Sequence, residues 1–166
     1  MSVSSVAFTP DDRGLISGSY DGKLKHWDLT PFLQCDVRLE PLLAAMSSAP
    51  LPASSPGPRA VLPPKEGGER GSICTLTFDG HTNWVRSSPV CSDGQWVVSG
   101  SDDKSVLFWD MRNAQAQFAL HGHNHWINSV DVSPIEGVFA CGDYDGITRI
   151  CEVYFGIYRD IYSDPE

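Results

Sequence analysis

Residues 80–110, GHTNWVRSSPVCSDGQWVVSGSDDKSVLFWD, decide the fold of this chain. Three runs rich in β-branched and aromatic residues lie between the Gly-His pair that opens the stretch and the Trp-Asp pair that closes it. These runs occupy residues 85–91, 95–99 and 105–109, and short groups of Ser, Asp, Gly and Lys separate them. Runs of this length between turn residues are typical of adjacent antiparallel strands. The stretch therefore predicts a small β-sheet.

Four polar side chains in this stretch are spaced to form one hydrogen-bond chain. The carboxylate of Asp103, in the turn between the second and third runs, can accept from the imidazole of His81. The same ring can reach the hydroxyl of Ser99, which can accept from the indole N–H of Trp109. Each such bond contributes about 1 kcal/mol net, and an unsatisfied buried partner costs more. We therefore predict that this tetrad is structural and that none of its members is catalytic.

The same unit occurs three times along the chain. A shift of 82 residues backwards places Ser17, Asp21 and Trp27 at the tetrad positions of a first copy. A shift of 42 residues forwards places His123 and Asp145 at those of a third copy. Coincident turn acids in three copies are a stronger signal than any one dipeptide. The third copy is degenerate, because cysteines stand at its Ser and Trp positions (Cys141 and Cys151).

The first two units are separated by about twice the usual spacing, which either a decayed unit or an insertion would explain. Residues 30–70 are rich in Pro, Ser, Ala and Gly, a composition that supplies neither a sheet ladder nor a packed core. Residues 71–79 then indicate a short strand just ahead of the second unit. We therefore predict a disordered insert between the third and fourth strands of the first unit. Ser55-Pro56 within it is either a proline-directed phosphorylation site or an ordinary linker dipeptide.

The three units resemble WD40 repeats, each of which forms one four-stranded blade of a β-propeller. This resemblance implies an all-β fold of three antiparallel four-stranded blades, an incomplete ring that forms part of a seven-bladed propeller. The predicted divisions are strands one to three of the first blade (1–29), the insert (30–70), the fourth strand of the first blade (71–79), the second blade (80–121), the third blade (122–158) and a tail (159–166).

Composition excludes several classes of function. The net charge is −9, and no repeat carries a Lys/Arg cluster, so direct binding of nucleic acid is not expected. The five cysteines form no Cys-x-x-Cys pair, and no secretion signal or membrane-spanning run is evident, which predicts a reduced intracellular protein. The run His121-Gly-His123-Asn-His125 lacks the further ligands that zinc needs, so no metal and no cofactor is expected. No phosphate loop or nucleophile elbow is present, and we predict no enzyme activity.

A narrower likeness lies in the order of the features. A first blade with SVAFTPDDRGLISGSYDGKLKHWDL and a long insert precedes one with SGSDDKSVLFWD and a last one with GVFACGDYDGITRI. This order resembles the C-terminal blades of the fungal Tup-type transcriptional corepressor, related in role to the Groucho/TLE family. The resemblance implies a non-enzymatic, nuclear protein without its own DNA contacts. It also implies three kinds of partner: DNA-binding repressors, a tetratricopeptide-repeat corepressor and histones.

Two alternatives stand beside a corepressor role. The chain could be a WD40 scaffold or substrate receptor of another complex, such as a ubiquitin ligase, a ribosome or an RNA-processing assembly, or a truncated product without function. In each scaffold case we expect partners to bind the rim where the loops entering the blades meet the turns between their second and third strands. Exposed aromatic side chains there would anchor a partner, although Trp84 and Trp126 could equally pack between blades. The predicted rim residues are Tyr20, Asn83, Trp84, Asp102, His125, Trp126 and Tyr144.

Two expectations concern stability. Deleting residues 41–68 should change the free energy of unfolding by no more than about 1 kcal/mol, because loop length affects closure entropy only slowly. Three blades do not complete a ring, since propellers have four to eight. The outer flanks of the first and third blades should therefore be uncovered, and we expect self-association or complementation by further blades.

Overall fold

The computed structural model describes residues 2–33, 73–134, 137–154 and 157–163 of the chain. They form three antiparallel sheets of four strands each, which confirms the predicted all-β fold. Most of the predicted insert, with Ser55-Pro56 and the segment proposed for deletion, lies outside the described residues. Within the described parts of the chain, no helix is long and apolar enough to cross a membrane.

The first blade is a sheet in which strand order follows chain order, even though its last two strands are far apart in sequence. Leu24 pairs with Phe78, so residues on either side of the long insert are neighbours in the sheet. The insert was predicted to be disordered from residue 30, but its first four residues form a short helix. The Asp28 carboxylate starts this helix by accepting from the backbone N–H of Thr30 at 2.8 Å. The elements are β1 (Val3–Phe8), β2 (Gly14–Ser19), β3 (Lys23–Asp28), α1 (Thr30–Leu33) and β4 (Cys74–Asp79).

The second blade has a shorter first strand than the sequence predicts. Residues 85–91 were expected to be one run, whereas β5 ends at Ser87, and only Val90 resumes pairing, opposite Val97. Pro89 explains the break, because proline has no N–H to donate to a ladder. Its carbonyl still accepts from Val98 N at 3.0 Å. The strands are β5 (Val85–Ser87), β6 (Trp96–Ser101), β7 (Ser105–Asp110) and β8 (Gln115–His121).

The third blade extends further than predicted. The boundary between blade and tail at residue 158 is wrong, because β12 continues to Ser163, which pairs with Arg149. The prediction followed alternating apolar residues, which stop near that boundary, whereas strand pairing uses backbone groups and continues past Arg159 and Asp160. The strands are β9 (Ile127–Val132), β10 (Val138–Asp143), β11 (Thr148–Tyr154) and β12 (Ile157–Ser163).

The core lies between the blades. Adjacent residues of one strand point to opposite faces, so Val97 packs against the first blade and Val98 against the third. Glycine permits the close approach of the sheets: a Cβ on Gly100 would lie 2.6 Å from Val130. All six residues of β7 are buried, since the second blade has a neighbour on each face.

One flank of the first blade is apolar and exposed. Cross-strand pairing places Val6 and Phe8 on the same face as Ser17 and Trp27. The equivalent face of the second blade is covered by the first blade. In the first blade Val6 is 61% exposed and Phe8 is 67% exposed, as the prediction of an uncovered flank requires.

Candidate functional site: the tetrads and an aromatic rim

The structure brings together all four residues of the second-blade tetrad. His81 Nδ1 donates to Asp103 Oδ2 at 2.8 Å, and its Nε2 lies 2.7 Å from the hydroxyl of Ser99. Trp109 Nε1 donates to the same hydroxyl at 2.7 Å. Because a carboxylate only accepts, Nδ1 carries a proton in this contact, and the Ser99 hydroxyl, which already accepts from Trp109, can donate to Nε2. The chain of bonds ties the loop ahead of β5 to the interior of the blade.

Asp103 also organises the turn between β6 and β7. It accepts from the backbone N–H of Thr82 and of Ser105, each at 3.0 Å, as well as from the Ser105 hydroxyl. Burial alone would raise the pKa of Asp103, but the hydrogen bonds from His81 and Ser105 outweigh it and hold that pKa well below its ordinary value. The carboxylate is therefore charged throughout the neutral and mildly acidic range.

The third blade uses a different acid from the one predicted. His123 Nδ1 donates to Asp143 Oδ2 at 2.8 Å, so the assignment of Asp145 to this tetrad is wrong. Asp143 stands where the second blade has Ser101, whose hydroxyl donates to the carbonyl of Asn83; the longer side chain of Asp143 reaches the imidazole instead. It also accepts from the backbone N–H groups of Asp145 and Ile147. The side chain of Asp145 is exposed.

The remaining tetrad positions differ in the outer blades. In the third blade the Cys141 thiol lies 3.0 Å from His123 Nε2, in place of the serine hydroxyl. In the first blade Trp27 Nε1 donates to Ser17 Oγ at 2.8 Å. Asp21 there accepts from the backbone N–H of Lys23 at 3.0 Å and caps the turn.

Cys141, His123 and Asp143 have the order of a nucleophile, a base and an orienting acid, but not the access. The side chains of His123 and Asp143 are 4% and 2% exposed, and Cys141 is 4% exposed. A substrate has no open approach to a thiol that packs among Val130 and Phe139. Among the described residues, no group of three or more His, Cys, Asp or Glu side chains is placed to hold a metal ion. These three side chains therefore have a structural role, as buried hydrogen-bonded partners inside the third blade.

The predicted rim residues lie together at one edge of the three sheets. They occupy the loops entering the second and third blades and the turns between the second and third strands of each blade. One backbone bond recurs in every blade: Asp102 N donates to Trp84 O, and Tyr144 N donates to Trp126 O, each at 2.9 Å. Tyr20 N donates likewise to the carbonyl of Ser2 at 3.1 Å. These positions are therefore structurally equivalent.

The aromatic rings of this rim form two groups of contacting rings. At one end Tyr20 stacks on Trp84, with ring centroids 4.4 Å apart and planes 20° from parallel. At the other end Tyr144 stacks on His125 at 5.0 Å and lies 5.9 Å from Trp126. The four Tyr and Trp side chains are between 38% and 64% exposed. We call the two groups, together with the arginine described next, the aromatic strip: Tyr20, Trp84, Arg86, His125, Trp126 and Tyr144.

Arg86, which is not among the predicted rim residues, joins the two halves of the strip. Its guanidinium carbon lies 5.5 Å from the Trp84 ring centroid and 6.0 Å from that of Trp126. The same group binds Asp102 through two bonds of 2.6 and 2.8 Å, which raises the pKa of the arginine. The only sequence signal for it is its place two residues after Trp84, because side chains two apart on an extended chain point the same way.

Asp102 corrects the predicted rim. It is only 6% exposed, and both carboxylate oxygens are taken by Arg86, so it supports the strip and offers no free contact to a partner. Asn83 is exposed, and its side-chain oxygen accepts from Trp84 N at 2.8 Å. The role of the exposed rim residues in binding a partner stays a prediction.

The repeats match a known family. The WD domain, G-beta repeat family matches residues 1–28, 72–110 and 114–152, which together are more than half of the chain.

Relatives of several kinds share this similarity. The transcriptional repressor rco-1 of Neurospora crassa is 40% identical over 98 residues, 56% of this chain and 16% of its own length. The small ribosomal subunit protein RACK1y of Oryza sativa is 30% identical over 169 residues, 93% of this chain and 49% of its own length. The general transcriptional corepressor TUP1 of Saccharomyces cerevisiae is 35% identical over 83 residues, 46% of this chain and 12% of its own length. The chain thus spans less than half the length of these relatives, and it belongs to the WD40 repeat family as a scaffold of β-propeller blades.

Proposed function

We propose that the chain is a non-enzymatic protein-interaction platform that acts in transcriptional repression. The observation that carries this proposal is the group of relatives named as repressors. Besides rco-1 and TUP1 it includes the transcriptional repressor tup12 of Schizosaccharomyces pombe, 38% identical over 52 residues. By this proposal the protein works in the nucleus, is recruited by DNA-binding repressors and acts with a tetratricopeptide-repeat corepressor and with histones.

The surface of the molecule supports a platform that binds proteins. The aromatic strip presents large, partly exposed rings held in place by stacking and by the Arg86–Asp102 pair. Exposed Trp and Tyr side chains are the commonest anchors of protein interfaces. A net charge of −9 disfavours direct contact with DNA, so promoter specificity would come from a DNA-binding partner.

A recruitment assay in fungal cells tests the proposal. The 166-residue chain is fused to a heterologous sequence-specific DNA-binding domain, and expression of a reporter with the matching operator is measured. We expect repression of the reporter, and we expect Trp84→Ala to relieve it. Gln117→Ala is the control, because Gln117 is an exposed residue in the outer strand β8 of the second blade, outside the rim and outside the uncovered flank. A fusion that is present at the operator without lowering reporter expression contradicts the proposal.

A second candidate function rests on the rice relative. The similarity to the ribosomal protein covers 93% of this chain, which is a larger share than that covered by the repressors. Sedimentation of a cell extract through a sucrose gradient separates the two candidates. Co-migration of the tagged chain with small ribosomal subunits supports the ribosomal role. Recovery of DNA-binding repressors and a tetratricopeptide-repeat protein from a nuclear extract supports the first.

A further inference from the structure

The repeat places different side chains at equivalent rim positions. Tyr20, Asp102 and Tyr144 are equivalent, since each donates its backbone N–H to the loop that enters its own blade. The second blade thus carries an acid where the outer blades carry a tyrosine. Two residues after the loop residue whose carbonyl accepts this bond, the second blade has Arg86, whereas the first and third blades have Ser4 and Asn128. Only the second blade among the three therefore places a cation at this position.

Arg86 shows what this rim binds within the chain. Its guanidinium lies between two indole rings and is held by a carboxylate that is almost fully buried. Cations are attracted to the faces of Trp and Tyr rings by the ring quadrupole. The combination of aromatic faces and a nearby acid is thus a seat for a guanidinium or an ammonium group.

The outer blades present exposed tyrosine rings and have no cation at the position of Arg86. Tyr20 and Tyr144 each use one face for stacking and remain 38% and 64% exposed. Each is followed directly by an acid, Asp21 or Asp145. The Ser4 hydroxyl at the arginine position of the first blade is bound to the carbonyls of Gly18 and Val85.

The charges around the strip also favour a cationic ligand. Asp145 is exposed beside Tyr144, while Lys23 on the same rim is paired with Asp79 at 2.5 Å. Lys104, exposed in the central turn, is the one basic group described on these turns that lacks such a pair. The chain as a whole carries −9, which attracts basic segments.

We infer that the aromatic strip binds an extended basic segment of a partner protein. Arginine or lysine side chains of that segment stack on Tyr20 and Tyr144 and approach the neighbouring acids, as Arg86 does within the second blade. The inference rests on the proposed function, because it names the chemistry of the partner that the platform recognises.

Fluorescence anisotropy with short labelled peptides tests the inference. The probes are ten-residue peptides that alternate glycine with arginine, glutamate or proline. The full 166-residue chain should bind the arginine peptide and quench the fluorescence of its label. It should not bind the glutamate peptide. Changing both Tyr20 and Tyr144 to Ala should weaken arginine-peptide binding about tenfold, since each exposed cation–π contact contributes about two- to fivefold. Changing both to Phe should preserve binding, because the ring faces remain.

Charge controls separate the strip from the general acidity of the chain. Asp145→Asn should weaken binding, whereas Asp93→Asn, an exposed acid in the turn before β6, should not. Equal effects of these two variants, or equal binding of the proline peptide, would overturn the inference. If no basic peptide binds while Trp84→Ala still relieves reporter repression, the inference fails and the platform proposal stands.

Discussion

Two tryptophans of the second blade have opposite environments. Trp109 is fully buried, packs edge-on against Phe78 at 5.7 Å and donates its N–H to Ser99. Trp84 is 44% exposed and stacks on Tyr20 at the rim. The same side chain therefore holds the fold in one place and forms a surface in the other. The difference teaches that the polar tetrad and the aromatic strip can be altered separately, which the following variants exploit.

The largest effect is expected at the buried tryptophan. Trp109→Ala removes a fully buried indole between two blades and should lower the free energy of unfolding by about 3–5 kcal/mol. Urea denaturation followed by circular dichroism measures it. Trp27→Ala, at the equivalent but half-buried position of the first blade, is the matched control and should cost clearly less. Equal losses at the two sites would contradict the assignment of the core to the spaces between blades.

The next largest effect on stability should come from one of the two acids of the third-blade turn and not from the other. Asp143→Ala leaves the imidazole of His123 and the backbone N–H groups of Asp145 and Ile147 without their acceptor. Loss of these bonds should cost about 2–3 kcal/mol. Asp145→Ala, at an exposed position, should change stability by no more than about 0.5 kcal/mol. The reverse ranking in thermal or urea unfolding would restore the assignment made from sequence spacing.

Lowering the pH should reduce the free energy of unfolding by less than these substitutions do, through the carboxylates of the tetrads. The folded-state pKa of Asp103 is depressed below its unfolded value of 3.8, so the carboxylate contributes stability above that pH and loses it as pH falls toward the folded pKa. Asp143 has a depressed pKa for the same kind of reason, since hydrogen bonds from His123 and the backbone outweigh burial. In urea titrations between pH 5 and pH 2, Asp103→Asn should reduce the slope of stability against pH, by up to about 1.4 kcal/mol per unit. An unchanged slope would mean that other groups set the acid sensitivity.

Much of the architecture could be predicted because the blade repeats its spacing. The partners of His81 could be named from the sequence, since Ser99, Asp103 and Trp109 recur at fixed distances from the turns. Spacing alone named the wrong acid in the third blade. Asp143 stands two residues before the aligned Asp145, and its side chain is long enough to bind the imidazole of His123 in place of Asp145. Position alone cannot reveal such a substitution, which depends on side-chain length.

The rim shows a second limit of sequence reasoning. Its aromatic residues could be placed from the positions of loops and turns, but Asp102 could not be recognised as buried without its pairing to Arg86. An ion pair across two neighbouring strands depends on register, which a bulge between Val85 and Ser87 alters locally. The end of β12 was missed for a related reason, since backbone pairing continues where side-chain alternation stops.

The smallest effect on stability should accompany the largest effect on binding. Trp84→Ala and Tyr144→Ala change partly exposed rings, and each should alter the free energy of unfolding by about 1 kcal/mol or less. The decisive measurement is recovery of partner proteins by each variant from a nuclear extract, with the melting temperature recorded on the same preparation. We expect both variants to keep the melting temperature and lose partners, while Gln117→Ala, at an exposed position of β8, keeps both. Unfolding of the rim variants, or full recovery of partners without these rings, would contradict it.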